Sequence, residues 1–550
     1  MIEILIIIIA AVWAIGTCVR VYRQARFFQI EEYMNLRYVR WVLASRTRWL
    51  INRTLIAWGI GAIFSFMFSE APDGFLPGAI GIITAMIAVF PPDEGEIKKK
   101  FRATARAKRL LGASFAAAIL FIVIGSLLAN NALSESAPEI RVIVQGMIGF
   151  AAFLLAPIWL IIGNLLMTPV EAAFRARFIA KAGAVLAEIN PVVIGITGSY
   201  GKTTTKTFLT HILNGRYKAY PTPKSYNTLM GVCIAINNDL ANDHSVDYFI
   251  CEMGAYIPGE IKRLCDLTHP QISIVVEVGP QHLERFGTLE NTAAAKYEII
   301  KELPPDGVGV FNWDNPQIRE MVERGYPETR LTVSRTVDPA HVKNAIPRFV
   351  ASEIVESLDG LTFRVTDTLT SDTDLFSAPL LGIHNITNIL LATAAAVHER
   401  MTLREIARRV RDLKPAESRL VAQTSPEGIT IINDAYSANP TGIVSALAVL
   451  GMYQTGRRLL ITPGMVELGD LMERENTRLG EIAAQHATDV ILVGSKQTEP
   501  ILNGLRGAQF AADHIHVVET LSEAVAWYQR NLSAGDTVLF LNDLPDTYSV

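Results

Sequence analysis

The chain predicts an α-helical membrane region followed by α/β: a P-loop ATPase-type central domain and a Rossmann-like C-terminal domain. Three observations carry this reading. Long apolar runs crowd the first 170 of its 550 residues. From about residue 191, short apolar runs alternate with amphipathic segments, the pattern of parallel strands covered by helices. A Gly-rich turn, Gly195-Ile196-Thr197-Gly198-Ser199-Tyr200-Gly201-Lys202-Thr203-Thr204-Thr205, stands at the first strand-to-helix junction of that second part. The expected boundaries are 1–170, 171–412 and 413–550.

Half of the residues are hydrophobic and mean hydropathy is +0.27, high for a soluble enzyme. The excess lies in Ile4–Val19, Leu55–Phe68, Phe75–Phe90, Leu110–Leu128 and Val142–Val170. A membrane span takes about 20 residues, with a wide range. The second and third runs are short and suit a tight hairpin, with Glu70-Ala71-Pro72-Asp73-Gly74 as its turn. The first lacks a basic leader and a small-residue cleavage site, so it reads as an anchor, not a signal peptide.

Charge orients these spans. Arg20, Arg23, Arg26, Arg37, Arg40, Arg46 and Arg48 follow the first. Lys98, Lys99, Lys100, Arg102, Arg106, Lys108 and Arg109 follow the third, while 70–74 and 131–139 hold no Lys or Arg. The positive-inside rule then places both basic loops in the cytoplasm and the N-terminus outside. Five spans leave everything after about residue 170 inside, giving a multi-pass protein of the cytoplasmic membrane in contact with membrane lipids. The mixed aromatic and charged stretch Gln29–Trp41 is expected to lie as one interfacial helix on the inner leaflet.

The formal net charge of −4 gives no basic excess, so nucleic acid is not an expected partner. The four cysteines, Cys18, Cys233, Cys251 and Cys265, form no CxxC pair and suggest neither a zinc site nor a disulfide framework.

The Gly-rich turn follows the apolar strand Val192-Val193-Ile194 and precedes a segment of helical spacing, 206–213. Strand, glycine turn and helix start make a phosphate cradle, because backbone N–H groups and the helix dipole converge there. Gly198, Gly201 and Thr204 belong to the cradle, Lys202 supplies positive charge for terminal phosphates, and the Thr203 hydroxyl is suited to Mg²⁺. The form is G-x-T-G-x-x-G-K-T, with Ile196 where the common G-x-x-x-x-G-K-[ST] pattern has glycine. Further strands are expected at 248–251, 272–276, 308–311, 429–432, 458–462, 490–493 and 537–541. Helices are expected at 387–400, 403–412, 441–453, 473–487 and 521–531. Segment 329–380, rich in Thr and Val, reads as a local antiparallel patch, and Lys414–Ser418 as a hinge. Ligands of open α/β sheets sit at the carboxyl ends of strands. Glu252 ends one strand, and His282 and Glu284 follow the next; Lys296 taken alone is an ordinary helix lysine.

Together these residues resemble the Mur ligase family, over roughly 190–550. Gly195–Thr205 resembles its phosphate loop, and Glu252-Met253-Gly254-Ala255 its magnesium-binding E-x-G-A. His282-Leu283-Glu284-Arg285-Phe286-Gly287 followed by Ala295-Lys296 resembles its histidine and carbamylated-lysine segment. Gly382–Ala392 is similar to its G-x-H-N-x-x-N-x-L-A nucleotide motif. Asn433–Pro440 resembles D-x-Y-x-A-N-P, and Gly464–Gly469 resembles G-x-M-x-E-L-G. The resemblance implies ATP and Mg²⁺ as cofactors. Thr203 and Glu252 would hold one Mg²⁺, and His282 with a carbamylated Lys296 a second. Asn385 and Asn388 would face the nucleotide from the central domain, Arg419 and Asp434 from the last. Asn227, Tyr436 and Asn439 are the implied substrate residues; Lys202, Lys296 and His282 the catalytic ones.

The implied chemistry is amide formation through an acyl phosphate, joining a carboxylate acceptor (a UDP- or lipid-linked peptide) to an amino acid or dipeptide. Within the family the likeness is to the branch that adds D-alanyl-D-alanine during peptidoglycan precursor synthesis. Two features depart from the pattern. A membrane region stands where members begin with a UDP-binding domain, and Pro463-Gly464-Met465 stands in place of Gly-Asp-Met. They leave open a ligase for another cell-envelope polymer or poly-amino acid. Two readings from other classes are a transport ATPase and an inactive scaffold.

Overall fold

The computed structural model describes residues 1–31, 33–69, 74–91, 101–281, 283–342, 344, 346–416, 419–435 and 438–541. The expected turn residues 70–73, the basic residues 98–100, His282, Glu417, Ser418 and Tyr436 lie outside the described residues. The chain divides into two units, Met1–Arg177 and Phe178–Val550.

The first unit is helical: α1 (Ile2–Ile30), α2 (Asn35–Leu43), α3 (Arg46–Trp49), α4 (Asn52–Met67), α5 (Phe75–Val89), α6 (Ala105–Ala132), α7 (Pro138–Leu154) and the first part of α8 (Ala156–Ile189). Among the described residues, α1, α6 and α8 are long and apolar enough to cross a membrane. Helices α4 and α5 are shorter, at 16 and 15 residues. Ile60, Ile63, Phe66, Ile83, Ile87, Leu127 and Leu128 are all exposed, so the unit wears apolar side chains outside. That is the reverse of a water-soluble bundle. Inside, glycines admit neighbouring helices: a Cβ on Gly149 would collide with Trp13, and one on Gly61 with Thr84.

Two expectations change here. The run Val142–Val170 is two helices, because Pro157 has no N–H to offer the Phe153 carbonyl. That carbonyl instead accepts from Arg20 Nη1 at 2.8 Å, and the Ala152 carbonyl accepts from Trp159 Nε1 at 2.8 Å. Helices α7 and α8 still follow one path along α6: Gly125 faces Ile148, Gly163 faces Ser114, and Arg109 pairs with Glu171 at 2.7 Å. The stretch Gln29–Trp41 is also not one helix. Helix α1 runs on to Ile30, Tyr33 takes a left-handed φ of 61°, and α2 starts at Asn35. The bend stacks Trp41 on Phe27, with ring centroids 4.3 Å apart, and sets Tyr38 against Phe28.

The second unit holds two sheets. The first contains β1 (Val192–Thr197), β2 (Ala219–Pro221), β3 (Tyr248–Glu252), β4 (Ile272–Val275), β5 (Val308–Asn312), β6 (Thr329–Ser334), β7 (Phe349–Ser357), β8 (Gly360–Asp367) and β9 (Thr373–Ala378). Their order is β2-β3-β1-β4-β5-β6-β7-β8-β9. Pairing is parallel through β7 and antiparallel over β7-β8-β9, so the antiparallel patch starts one strand later than expected. Helices Lys202–Leu213 and His384–His398 cover one face through Phe208, Leu209, Ile212, Ile389 and Leu390. Helices Leu229–Asn238, Glu260–Thr268 and Leu289–Lys301 cover the other, joined by Ala182 and Leu186 of α8.

The second sheet contains β10 (Val421–Thr424), β11 (Thr430–Asp434), β12 (Arg458–Thr462), β13 (Asp489–Val493), β14 (Ile515–Val518) and β15 (Thr537–Leu541), in the order β10-β11-β15-β12-β13-β14. All pairs are parallel except β10-β11. In the first sheet β1 lies between β3 and β4, where the chain order reverses. Such a switch point opens a crevice at the carboxyl ends of the strands.

Candidate active site

The Gly-rich turn occupies the crevice beyond β1. Gly201 caps the helix Lys202–Leu213 at φ 78°, and a Cβ there would lie 2.7 Å from Asn388 Oδ1 and from Val276. Only glycine combines that backbone with that approach. The Lys202 ammonium folds back to donate to the Gly198 and Ser199 carbonyls at 2.6 and 3.2 Å. Burial is the main force lowering its pKa, to about 8; the nearby Glu252 carboxylate opposes this, and Arg419 adds to it.

Glu252, at the end of β3, is the hub. Its Oε2 accepts from Thr203 Oγ1 at 3.0 Å and from Lys206 Nζ at 2.9 Å, and its Oε1 accepts from Asn227 Nδ2 at 3.1 Å. Lys206 and Glu252 are both nearly inaccessible, and Lys206 also donates to the Lys224 carbonyl. Burial works to raise the Glu252 pKa, but Lys206, Lys202 and the hydrogen bonds outweigh it and hold the carboxyl below its ordinary value. The structure thus joins three sequence-predicted residues, Thr203, Glu252 and Asn227. Lys206 is not among the predicted ones, although it stands one helical turn beyond Lys202.

Lys296, on the helix Leu289–Lys301, is 4% exposed, and its side-chain nitrogen forms no hydrogen bond with any described residue. Burial, followed by repulsion from Lys202, pushes its pKa well below the ordinary lysine value. A buried, unpaired lysine is favoured as the neutral amine. The described residues contain no group of three or more His, Cys, Asp or Glu suited to a metal ion.

A cavity of about 290 Å³ opens beside the Gly-rich turn. Its wall includes Gly201, Thr204, Asn388, Arg419, Asp434 and Asn439 from the expected set. Asn388 Oδ1 accepts from Thr205 Oγ1 at 3.1 Å, and its Nδ2 donates to Asn385 Oδ1 at 3.2 Å. Asn385 in turn donates to the Leu381 carbonyl, so it orients Asn388 from behind the wall. Asp434 ends β11 and accepts from the Leu420 N–H at 3.2 Å. Burial raises its pKa to about 6 against the pull of Arg419. Asn439 accepts from the Gly442 N–H at 2.8 Å, at the start of the helix Gly442–Met452.

The same wall contains two residues to which the sequence reading assigns no role, Glu277 outside the motifs and His384 within one. Glu277 lies just past β4, with its carboxyl oxygens accepting from Asn312 Nδ2 at 2.9 Å and Asn315 Nδ2 at 2.5 Å. Burial raises its pKa to about 7, against those amides and Arg335. His384 heads the helix His384–His398, and burial with Arg335 and Arg419 lowers its pKa to about 4. The available signal is position: Glu277 follows a buried strand as Glu252 ends one, and His384 stands inside Gly382–Ala392.

A Gly-rich strand-to-helix turn beside an acidic, oxygen-rich hub suits an enzyme that handles phosphate groups. A family model described as the Mur ligase middle domain matches residues 196–396, and one described as Mur ligase, glutamate ligase domain matches residues 418–542. The chain belongs to the Mur ligase family and is a ligase joining an acid to an amino acid. Its relatives include the UDP-N-acetylmuramoyl-tripeptide–D-alanyl-D-alanine ligases of Bacillus subtilis and Escherichia coli. The first is 28% identical over 361 residues, covering 65% of this chain and 74% of that protein. The second is 30% identical over 355 residues, covering 64% and 76%. Among solved structures, MurF from Acinetobacter baumannii matches with a TM-score of 0.58 at 24% identity, over 68% of this chain and 78% of that one. MurF ligase from Thermotoga maritima in complex with ADP matches with a TM-score of 0.58 at 23% identity, over 67% and 80%. These two likenesses show the fold.

Proposed function

We propose that the protein is an ATP-dependent amide ligase of peptidoglycan precursor synthesis that adds D-alanyl-D-alanine to a muramoyl-linked peptide. We infer further that its first unit anchors it in the cytoplasmic membrane. The observation that carries the ligase reading is the Glu252 hub with Thr203, Lys206 and Asn227, together with Lys202 and the cavity walled by Asn388, Arg419 and Asp434.

The order of events follows from the residues. A carboxylate is a poor electrophile at neutral pH, so the acceptor carboxylate first attacks the γ-phosphate of ATP, giving an acyl phosphate and ADP. Lys202 leaves its loop carbonyls to neutralise charge on the transferring group. The incoming amine then attacks the acyl carbon; phosphate leaves and the amide forms. The wall residues of the last domain exclude water from the acyl phosphate.

Mg²⁺ fits the hub, since Thr203 and Glu252 offer hard oxygen donors and the Lys206 ammonium already occupies a cation position on Glu252 Oε2. It would supply charge neutralisation at the phosphates. Lys296 is suited to carbamylation, because its neutral amine can add to CO₂, and with His282 it would complete a second site.

A lipid-linked acceptor is a second reading, favoured by the apolar exterior of the first unit. Mass spectrometry of products formed with ATP, D-alanyl-D-alanine and either a soluble UDP-linked or a lipid-linked tripeptide tests both. Absence of a D-alanyl-D-alanine adduct on either acceptor overturns the assignment. Reporter fusions test the anchor. A fluorophore that matures only in the cytoplasm is expected to light up after Val550 and stay dark before Met1.

A further inference from the structure

Tyr200 stands in the Gly-rich turn between Ser199 and Gly201, yet its hydroxyl takes no part in the hydrogen bonding of the turn. The ring packs so closely on Gly279 that a Cβ there would lie 2.6 Å from Cε2. The ring is thereby fixed, and it forms part of the cavity wall. Its hydroxyl oxygen is buried without a hydrogen-bond partner among the described residues.

A second orphan lies on the last domain. Glu475, on the helix Met472–His486, is 5% exposed. Its Oε1 accepts from Arg474 Nε and Nη2 at 3.0 and 2.7 Å, but its Oε2 is buried with no hydrogen bond among the described residues, with only a long ion pair to Arg478 Nη1 at 3.7 Å. A buried donor or acceptor without a partner is destabilising, since it gives up water and gains nothing in return. A donor on the Gly-rich turn and an acceptor on the last domain therefore each lack what the other offers.

Burial, and after it the carboxylates of Glu277 and Glu475, raise the Tyr200 pKa, so the hydroxyl stays protonated and able to donate. Of these two acceptors, Glu277 is already engaged by two amides. The two domains touch nearby, where the Leu283 N–H donates to the Glu467 carbonyl at 3.1 Å and Gly469 approaches Leu283. Tyr200 packs on Gly279, four residues before Leu283, and Glu475 stands six residues after Gly469, so the two side chains flank that contact.

We propose that Tyr200 and Glu475 form an interdomain hydrogen bond when nucleotide occupies the cavity, so that Tyr200 is a positioning residue that ties the last domain to the Gly-rich turn. The bond involves no transfer of a proton; Tyr200 donates and Glu475 Oε2 accepts. Its function is to slow escape of the nucleotide while the acyl phosphate awaits its amine. The proposal rests on the nucleotide reading of the cavity.

The test is a double-mutant cycle on the full-length protein in detergent, using stopped-flow release of a fluorescent ADP analogue. Tyr200→Phe and Glu475→Gln are each expected to speed release about tenfold, the worth of one hydrogen bond to a charged group. The double variant is expected to release no faster than either single one. Association rates should stay unchanged and the nucleotide-free melting temperature should not fall, which a merely structural role would not allow. If the two effects multiply, or Tyr200→Phe acts while Glu475→Gln does not, the hydroxyl serves the nucleotide directly and the tie is overturned. If Tyr200→Phe does not fold, Glu475→Gln and Glu475→Ala carry the test, and unchanged release in both sinks it. Failure of the wild-type protein to bind the analogue would instead remove the nucleotide reading.

Discussion

Arg20 and Lys296 are both buried basic side chains, one in each unit, and their surroundings are opposite. The Arg20 guanidinium donates to the Phe153, Trp49 and Arg48 carbonyls at 2.8, 2.7 and 3.4 Å, and it sits 4.6 Å from the Phe153 ring. Lys296 has no hydrogen-bonding partner among the described residues, and its charged neighbour, Lys202, repels it. In the first unit a buried charge settles the backbone groups that a proline and a chain bend leave open. In the second, the Tyr200 hydroxyl and one oxygen of Glu475, Oε2, have no hydrogen bond among the described residues, although Arg474 holds Glu475 Oε1. A buried polar atom left without a hydrogen bond calls for a partner that another state of the molecule supplies.

The strongest break of that contrast is Lys202→Ala. Loss of the loop lysine is expected to cut ATP-dependent phosphate release by about three orders of magnitude while leaving the fold intact. Wild-type turnover in that variant would mean that the turn holds no phosphate. Lys296→Ala is expected to cost about a hundredfold, with partial recovery in short carboxylic acids that replace the missing oxygens. A fully active protein that shows no carbamate carbon by NMR after exchange with ¹³C-bicarbonate would refute carbamylation.

On the other side of the comparison, Arg20→Ala is expected to weaken the first unit by about 2–4 kcal/mol, since three carbonyls lose a shared charged donor. Unfolding in mixed micelles, followed by tryptophan fluorescence, reads this. An unchanged midpoint would mean that other groups satisfy those carbonyls.

The smallest effect concerns pH. Burial raises the Glu277 pKa from 4.5 to about 7, so between those values the folded protein binds a proton that the unfolded chain does not. Stability from this group is therefore greatest below about pH 4.5 and is lost as pH rises through about 7. Glu277→Gln is expected to flatten that dependence and raise the melting temperature at pH 8 by about 2 °C. A steeper pH dependence in the variant would contradict the assignment.

The motifs are legible because their chemistry is local. Thr203 and Gly201 adjoin Lys202, and hydrophobic periodicity places β3, β4, β5 and four strands of the second sheet within a residue or two. Lys206 carries no such signal, because a lysine in a helix gives no sign of being buried; only the approach of β3 puts Glu252 beside it. Glu277, Asn312 and Asn315 escape the motifs because their pairing joins the ends of two different strands. Likewise the run Val142–Val170 is largely apolar, and nothing in its composition tells that Arg20 stabilises a break at Pro157.

The sequence by itself determined where apolar helices give way to alternating strands and helices, the Gly-rich turn, and the order of the motifs. These depend on periodicity and on φ or hydrogen-bonding limits of single residues. The tertiary structure alone decided which buried polar groups find partners. Lys206 meets Glu252 across 46 positions, Thr205 meets Asn388 across 183, and Arg20 meets Phe153 across 133. Contacts at such separations follow from strand order and helix packing, where burial makes each missing partner costly, and no local pattern encodes them.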